Sequence, residues 1–315
     1  MAINVTALQD FNNEVAGKLV LDTVYKGNTT EYVSVQEGIK FQEPLNIMSN
    51  TLYFQGGDSV STASGSLDFT QRNITVTKRT AFDSLNLQSL TEKYLGVSAL
   101  PEGSYEETFN LVSQLGEDIV AKAQQANDDF IWNAEDGQTF AGSTVTAAAD
   151  GFKALLVNAN GTKIPTGTGA NPITGSTAYD QLIDMLSVAD TNILDADDLT
   201  VWTGTSVFQR IIGGLTTQNL FHFDPTTVER RGGFYEVPLP GYPNVKIVGT
   251  YGLRSSERVI IGPASDMVVG TDLVADVQNF QMWYDINSDS MKYRLRNKLG
   301  VQVGHPEYFV SNDLA

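Results

Sequence analysis

Lys292, Arg294, Arg296 and Lys298 stand at alternate positions near the end of this 315-residue chain. In an extended strand a period of two puts all four on one face, with Tyr293, Leu295 and Leu299 on the other. Four neighbouring cations repel one another unless solvated or countered by acids. Three readings fit: a solvated face with local acid partners, a face that meets acidic surface on a neighbouring copy, or a contact with phosphates.

The rest of the chain is poor in catalytic chemistry. It has two histidines, His222 and His305, and no cysteine. That excludes disulfides, thiolate metal sites and cysteine nucleophiles. No Gly-x-Ser-x-Gly elbow is present. The stretch from Gly169 to Thr177 approaches a phosphate loop, with one residue too many between Gly169 and Gly175 and no Lys before Ser176. Asp285-Ile286-Asn287-Ser288-Asp289 starts like a calcium loop. Ser290 then stands where the turn glycine belongs, and Arg296 where the closing Glu belongs. Asp195, Asp197 and Asp198 could hold a hard cation if folded together, and otherwise read as a solvated loop. No catalytic residue, cofactor or metal is expected.

Charge sharpens this. There are 37 acidic and 20 basic residues, a formal net charge of −17. Residues 101–200 hold 16 of the acids and only Lys122, Lys153 and Lys163 as bases. Such a balance opposes a general nucleic-acid binder, which needs a basic footprint. A 41% hydrophobic composition supports a true core. The first ten residues lack the basic and apolar regions of a signal peptide, and no apolar run approaches the ~20 residues of a membrane span.

The elements that must carry these residues can be read in order. Residues 1–45 read as an arm broken by Gly17, Gly27 and Gly38. Residues 52–79 predict a protruding hairpin. Leu52, Tyr53 and Phe54 end one strand, the small polar residues 58–66 make a mobile tip, and alternation resumes from Leu67. Apolar parity changes from odd (Leu67, Phe69) to even (Ile74, Val76), which predicts a bulge between them. Ser104 and Glu107 form a capping box. Phe109, Val112, Leu115, Ile119, Val120, Ala123, Ala126 and Phe130 then predict one long helix with a single apolar stripe, fading near Trp132 and Gly137. Residues 138–270 read as a mixed α/β unit. Its parts are a short hairpin at Asn160-Gly161 flanked by 154–158 and 162–164, a helix through Tyr179, Leu182, Ile183 and Leu186, and a buried strand 199–202. A helix from Thr205 to Thr217 and strands at 245–248 and 258–261 complete it. Residues 280–284 and 291–299 are antiparallel strands about a turn at 287–290.

This order resembles the major capsid proteins of tailed double-stranded DNA bacteriophages, the Hong Kong 97-type fold. Local phrasing is similar at Thr75-Val76-Thr77-Lys78, Leu90-Thr91-Glu92-Lys93-Tyr94-Leu95, Asp128-Asp129-Phe130-Ile131-Trp132-Asn133, Val201-Trp202-Thr203-Gly204-Thr205, Asn219-Leu220-Phe221-His222-Phe223-Asp224, Gly270-Thr271-Asp272-Leu273 and Gly300-Val301-Gln302-Val303. The resemblance implies an α+β chain with five parts. They are an N-terminal arm (1–45), an extended hairpin loop (46–80), a peripheral domain with a spine helix (81–137), an axial domain (138–270), and return strands of the peripheral domain with the C-terminus (271–315). It further implies a non-enzymatic subunit that forms pentamers and hexamers of an icosahedral shell around DNA. Scaffolding, portal and decoration proteins are its possible partners, packaged DNA is met by non-specific proximity only, and no membrane is involved. Its location would be the virion, and the bacterial host cytoplasm during assembly. Phe54 and Phe69 of the hairpin, with Lys292, Arg294, Arg296 and Lys298, are the candidate interaction residues. Some relatives cross-link a hairpin Lys to a neighbour's Asn. Here no Lys lies between Lys40 and Lys78, so a shell without covalent links is expected. About forty residues precede the hairpin, too few for a scaffold-like extension, so a separate scaffolding protein, or assembly without one, is expected.

Three rivals remain at this stage. An encapsulin-like compartment would share the fold and hold protein cargo. An enzyme would need a convergent polar site. A tail or adhesion protein would be repetitive and β-dominated.

Overall fold

The computed structural model describes residues 29–54, 65–86, 119, 121–140, 144–157, 173–175, 177–217, 235–272, 280–288 and 290–312. The capping box at Ser104, the helical stripe before Ile119, the tip segment 58–64, the Asn160-Gly161 turn, the Gly169 loop up to Pro172 and His222 lie outside these residues.

The central strand β5 (Leu199–Gly204) is buried at every position. Its alternation serves two cores. Leu199 and Val201 face one apolar cluster, and Trp202 faces the other. Around it lies a five-stranded sheet in the order β12 (Val310–Ser311), β8 (Val259–Pro263), β5, β7 (Tyr242–Thr250), β6 (Tyr235–Leu239). The β5–β7 pair is parallel and the β5–β8 pair antiparallel. A parallel pair needs a crossover, and helix Thr205–Thr217 begins it directly after β5. That helix packs Val207, Phe208, Ile211 and Leu215 on one side of the sheet, beside Leu182, Met185 and Leu186 of helix Ala178–Val188. Both helices and the strands at 199–202, 245–248 and 258–261 agree with the apolar spacing.

Residues 154–157 do not. Phe152–Leu155 is a helical turn, with Phe152 and Leu156 fully buried. A short apolar run fits strand or helix equally, and here the buried Phe152 decides for a helical turn.

The second five-stranded sheet runs β1 (Ser34–Gln36), β9 (Met267–Thr271), β11 (Ser290–Val303), β10 (Phe280–Asp285), with β4 (Thr77–Asn86) also on β11. Strand β11 is long enough to meet β10 over Ser290–Leu295, β4 over Ser290–Leu299 and β9 over Leu299–Val303. Helix α1, residues 121–133, leads into the body through Phe130, Ile131 and Trp132, each at most 3% exposed. The stripe expected through Ala126 is corrected. Ala126 is exposed, and burial runs instead through Asp128, Phe130, Ile131 and Trp132 because the last turn is enclosed from several sides.

The hairpin is a separate two-stranded sheet, β2 (Gln42–Leu52) against β3 (Gly65–Thr75). Pairing runs in one register from Gln42–Thr75 to Leu52–Gly65. The expected bulge is therefore absent. Parity changes because the two halves of the ribbon use opposite faces. At the base Ile47 and Ile74 turn inward, and farther out Phe69 and Leu67 turn outward. The ascending strand also begins at Gln42, inside the stretch read as arm.

Candidate assembly surfaces

The hairpin supplies the first surface. Cross-strand partners share a face, so Met48 with Phe69, Asn50 with Leu67, and Leu52 with Gly65 all lie on one side of the ribbon. That side is apolar and open: Met48 is 58% exposed, Leu52 67%, Leu67 54% and Phe69 70%. Phe54, just past the strand, is 95% exposed. A two-stranded ribbon is marginal in water, and contiguous exposed apolar side chains mark contact sites. The opposite side anchors the base. Ile74, with Ile39, Val76 and Val268, forms a small buried cluster against the body.

The second surface is one face of the β4–β11–β10 sheet. Register puts Lys292 beside Trp283 and Ser84, Arg294 beside Gln281 and Phe82, Arg296 beside Thr80, and Lys298 beside Lys78. The alternation of β11 thus places all four cations on one face. Lys292 pairs with Asp285 and Lys298 with Asp272. Arg294 donates to the Gln281 amide oxygen and lies 5.9 Å from the Trp283 ring centroid. Arg296 is exposed and has no partner among the described residues. The Lys292 ammonium, with Asn287 N–H and the Ser288 hydroxyl, holds the Asp285 carboxyl below its usual range. Those contacts close the 285–290 turn as an Asx-type turn, not as a cation loop. Phe82, 58% exposed, lies 6.2 Å from Trp283 on this face. The reverse face is covered: Met282, Met291, Tyr293 and Leu295 cluster with Ile119.

A polar knot fixes α1 to the body. Asp128, 1% exposed, accepts hydrogen bonds from Thr29 N–H (3.0 Å), the Thr29 hydroxyl and Gly252 N–H (2.7 Å). Trp132 Nε1 donates to Thr29 Oγ1 at 2.8 Å, and Asn133 donates to the Gly252 carbonyl at 2.6 Å. Burial, the largest influence, pushes the Asp128 carboxyl up against the hydrogen bonds that pull it down. Gly252 must be glycine, since a Cβ there would overlap the Trp132 ring. Beside the knot, Arg79 reaches the Ala126 carbonyl and Asn127, with its guanidinium 4.4 Å from the Phe130 centroid. Burial lowers Arg79 to about 10, and its Nε has no partner. Sequence reasoning missed both groups. A single Asp in a helix reads as surface charge, although Asp128 stands three and four residues before the buried Ile131 and Trp132.

Among the described residues no active-site constellation emerges. His305 Nδ1 sits 3.0 and 3.1 Å from the Asp266 carboxylate oxygens and its ring stacks on Tyr308. Asp198 accepts from Ser265 N–H at 3.0 Å. Among the described residues no group of His, Asp and Glu is arranged to hold a metal ion. A cavity of about 40 Å³ between α1, β1, β9 and β11 is lined by Ile131, Val269, Leu299, Asn127 and Asn297. That is room for a water and far below a ligand pocket. No described helix is long and apolar enough to cross a membrane.

No protein-family model matches this chain, and no curated protein matches it. Solved structures do. A chain of the satellite phage P4 procapsid, which includes the size determination protein, superposes with TM-score 0.54 at 9% identity, over 93% of this chain and 89% of its own. A chain of the Myoviridae phage XM1 capsid gives 0.51 at 14% identity, over 92% and 90%. A virus-like particle from Pyrococcus furiosus gives 0.51 at 11% identity, over 95% and 97%. The chain has the Hong Kong 97-type fold, as the element order implied.

Proposed function

We propose that this chain is the major capsid protein of a tailed bacteriophage, a shell subunit that works by self-assembly and not by turnover. The observation that carries the reading is the hairpin. A ribbon with Met48, Leu52, Leu67 and Phe69 open on one side has no partner for that side among the described residues, and the surrounding fold is one that phage capsid and procapsid chains use. In this reading the hairpin lies over an adjacent subunit. Residues 138–270 form the axial domain at the centre of pentamers and hexamers. Residues 81–137 and 271–315 form the peripheral domain, and the residues before Gln42 the arm. Closed assemblies of this kind arise from many weak, repeated interfaces. The acid-rich 101–200 region, turned to the interior, would keep packaged DNA from adhering to the wall.

The test is negative-stain microscopy of the overexpressed full chain, alone and co-expressed with its neighbouring genes. Closed shells or capsomer-sized rings are expected, giving one band at the subunit mass on a denaturing gel. A monomer at high concentration overturns the reading, and a covalent ladder overturns the expectation of an unlinked shell. Particles filled with an enzyme instead of nucleic acid would turn it toward a protein compartment.

A further inference from the structure

We infer that His305 and Asp266 form a proton-dependent clasp on a C-terminal strap, residues 304–312, tight when the imidazole is charged and slack when it is neutral. The inference concerns the folded subunit and goes beyond its assembly. Two segments pass from one five-stranded sheet to the other. Strand β8 continues through Ala264–Asp266 into β9, and β11 continues through Pro306–Tyr308 into β12. They run side by side. Val303 pairs with Met267 in one sheet and Val310 with Ile261 in the other, and between these rungs the ladder is interrupted. The clasp sits where the interruption begins. Gly304 N–H donates to the Asp266 carbonyl at 2.9 Å, and His305 Nδ1 lies 3.0 and 3.1 Å from the two Asp266 carboxylate oxygens. Asp266 is held from both sheets: Ala264 N–H and Ser265 N–H donate to Asp198, and the Ser34 hydroxyl donates to the Ser265 carbonyl. Farther along the strap, Phe309 fills the notch at Gly262, where a Cβ would overlap its ring, and Asn312 N–H donates to the Val259 carbonyl at 3.2 Å. Tyr308 packs against both cores.

The geometry says which nitrogen takes the proton. An ionised carboxylate only accepts, so Nδ1 carries the hydrogen that both Asp266 oxygens share, whether or not the ring is charged. The second proton enters at Nε2, which has no partner among the described residues, on a side chain 23% exposed. Its uptake turns a hydrogen bond to a carboxylate into an ion pair. Histidine is the side chain whose charge changes between about pH 5 and 8. The charged and titratable groups packed about the pair are Glu307 and the stacked Tyr308 on its own turn (ring centroids 5.0 Å), Asp190 just past helix Ala178–Val188, and Asp198 before β5. All but Tyr308 are carboxyls. Burial, then Glu307, Asp266 and Asp190, hold the Tyr308 phenol above its ordinary range, so it stays neutral while the imidazole titrates. The sign follows: the ion pair is present on the acid side and is lost as the pH rises, and the strap opens more readily toward alkaline pH.

The test is amide hydrogen exchange of the full chain, as subunit or particle, at about pH 5.5 and about pH 8, corrected for the intrinsic rate and referred to the amides of β5. In the wild type the Gly304, Phe309 and Asn312 amides should be protected about threefold better at the lower pH, the scale of a half-exposed ion pair. His305→Asn keeps an N–H donor for Asp266 and cannot take up the proton, so its ratio between the two pH values should fall to one. Asp266→Asn, which removes the charge but keeps an acceptor, should do the same. Asp128, raised by burial, is present in all three chains and cancels from the comparison. A wild-type ratio of one overturns the inference. So does a ratio that survives His305→Asn, which would assign the effect to Asp190 or Glu307. If a variant does not fold, nitrogen-15 NMR of the wild-type imidazole decides: at about pH 8 a protonated Nδ1 and a bare Nε2 are expected, and the opposite tautomer overturns the clasp. None of these readouts depends on shell formation, so the shell reading stands or falls separately.

Discussion

The Asp128 carboxylate holds three hydrogen bonds where water cannot reach it, and the balance decides how the junction between α1 and the body responds to acid. Two donors come from Thr29 and one from Gly252. An amide at this position can accept from one side only and must point its NH2 at the other donor. Asp128→Asn should therefore destabilise the subunit by about 1–3 kcal/mol, the cost of an unmet buried donor. The pH dependence has a definite sign. Burial raises the folded carboxyl above its ordinary 3.8, so the native state binds a proton more readily than the unfolded chain. Stability from this group is therefore gained as the pH falls through the raised value, and lost as the pH rises through it. The variant has no such proton, so the gap between wild type and Asp128→Asn should widen from neutral pH toward the ordinary carboxylate range. Denaturant titrations of both subunits at several pH values measure it. A constant gap would show that the hydrogen bonds cancel the burial, and a gap that narrows toward low pH that they outweigh it.

The hairpin separates two kinds of apolar residue that look alike in the sequence. Ile74 is fully buried against Ile39, Val76 and Val268, so Ile74→Ala should cost about 2–5 kcal/mol of subunit stability. Phe69, 70% exposed on the other face, should be nearly silent when replaced by Ser, within about 0.5 kcal/mol for the isolated subunit, yet lower particle yield sharply. Thermal melts and particle counts on the same two variants check the contrast; equal losses of stability would contradict it. The same element marks where sequence reading reaches its limit. Period-two and helical spacing located β5 and the helices Ala178–Val188 and Thr205–Thr217 because each buries one or two faces, and located β11 because its cations alternate with apolar residues. In β3 that spacing suggested a bulge, because alternation cannot say that a ribbon buries one face at its base and offers the other farther out. Strand β2 was hidden by Pro44 and by polar residues at its start. The cation stripe was legible as a stripe, whereas its local partners were not, since Asp272 and Asp285 reach it through the fold. Asp128 and Arg79 were illegible because nothing local separates a buried charge from a solvated one.

At the scale of the whole molecule, a subunit carrying −17 must approach copies of itself. Subunit–subunit repulsion acts across the screening length, about 30 Å at 0.01 M salt and about 8 Å at 0.15 M. Apolar contacts of the kind offered by Leu67 and Phe69 act only on touching, and salt leaves them intact. Close ion pairs across an interface are worth ~0–1 kcal/mol each where exposed, and they lose little over the same range. Assembly should therefore be promoted, not inhibited, as salt rises from about 0.01 to 0.15 M. Arg294→Glu with Arg296→Glu takes the subunit from −17 to −21, since each replacement removes one positive and adds one negative charge. Two effects then coincide. The long-range repulsion grows, which salt can repair, and the sheet face loses its sign, which salt cannot. Light-scattering assembly curves of the wild type and the double variant over that salt range should both rise. The variant should rise more steeply and still plateau below the wild type. If salt restored the variant fully, the two arginines would matter only through net charge, and the cationic face would have no specific part in holding copies together.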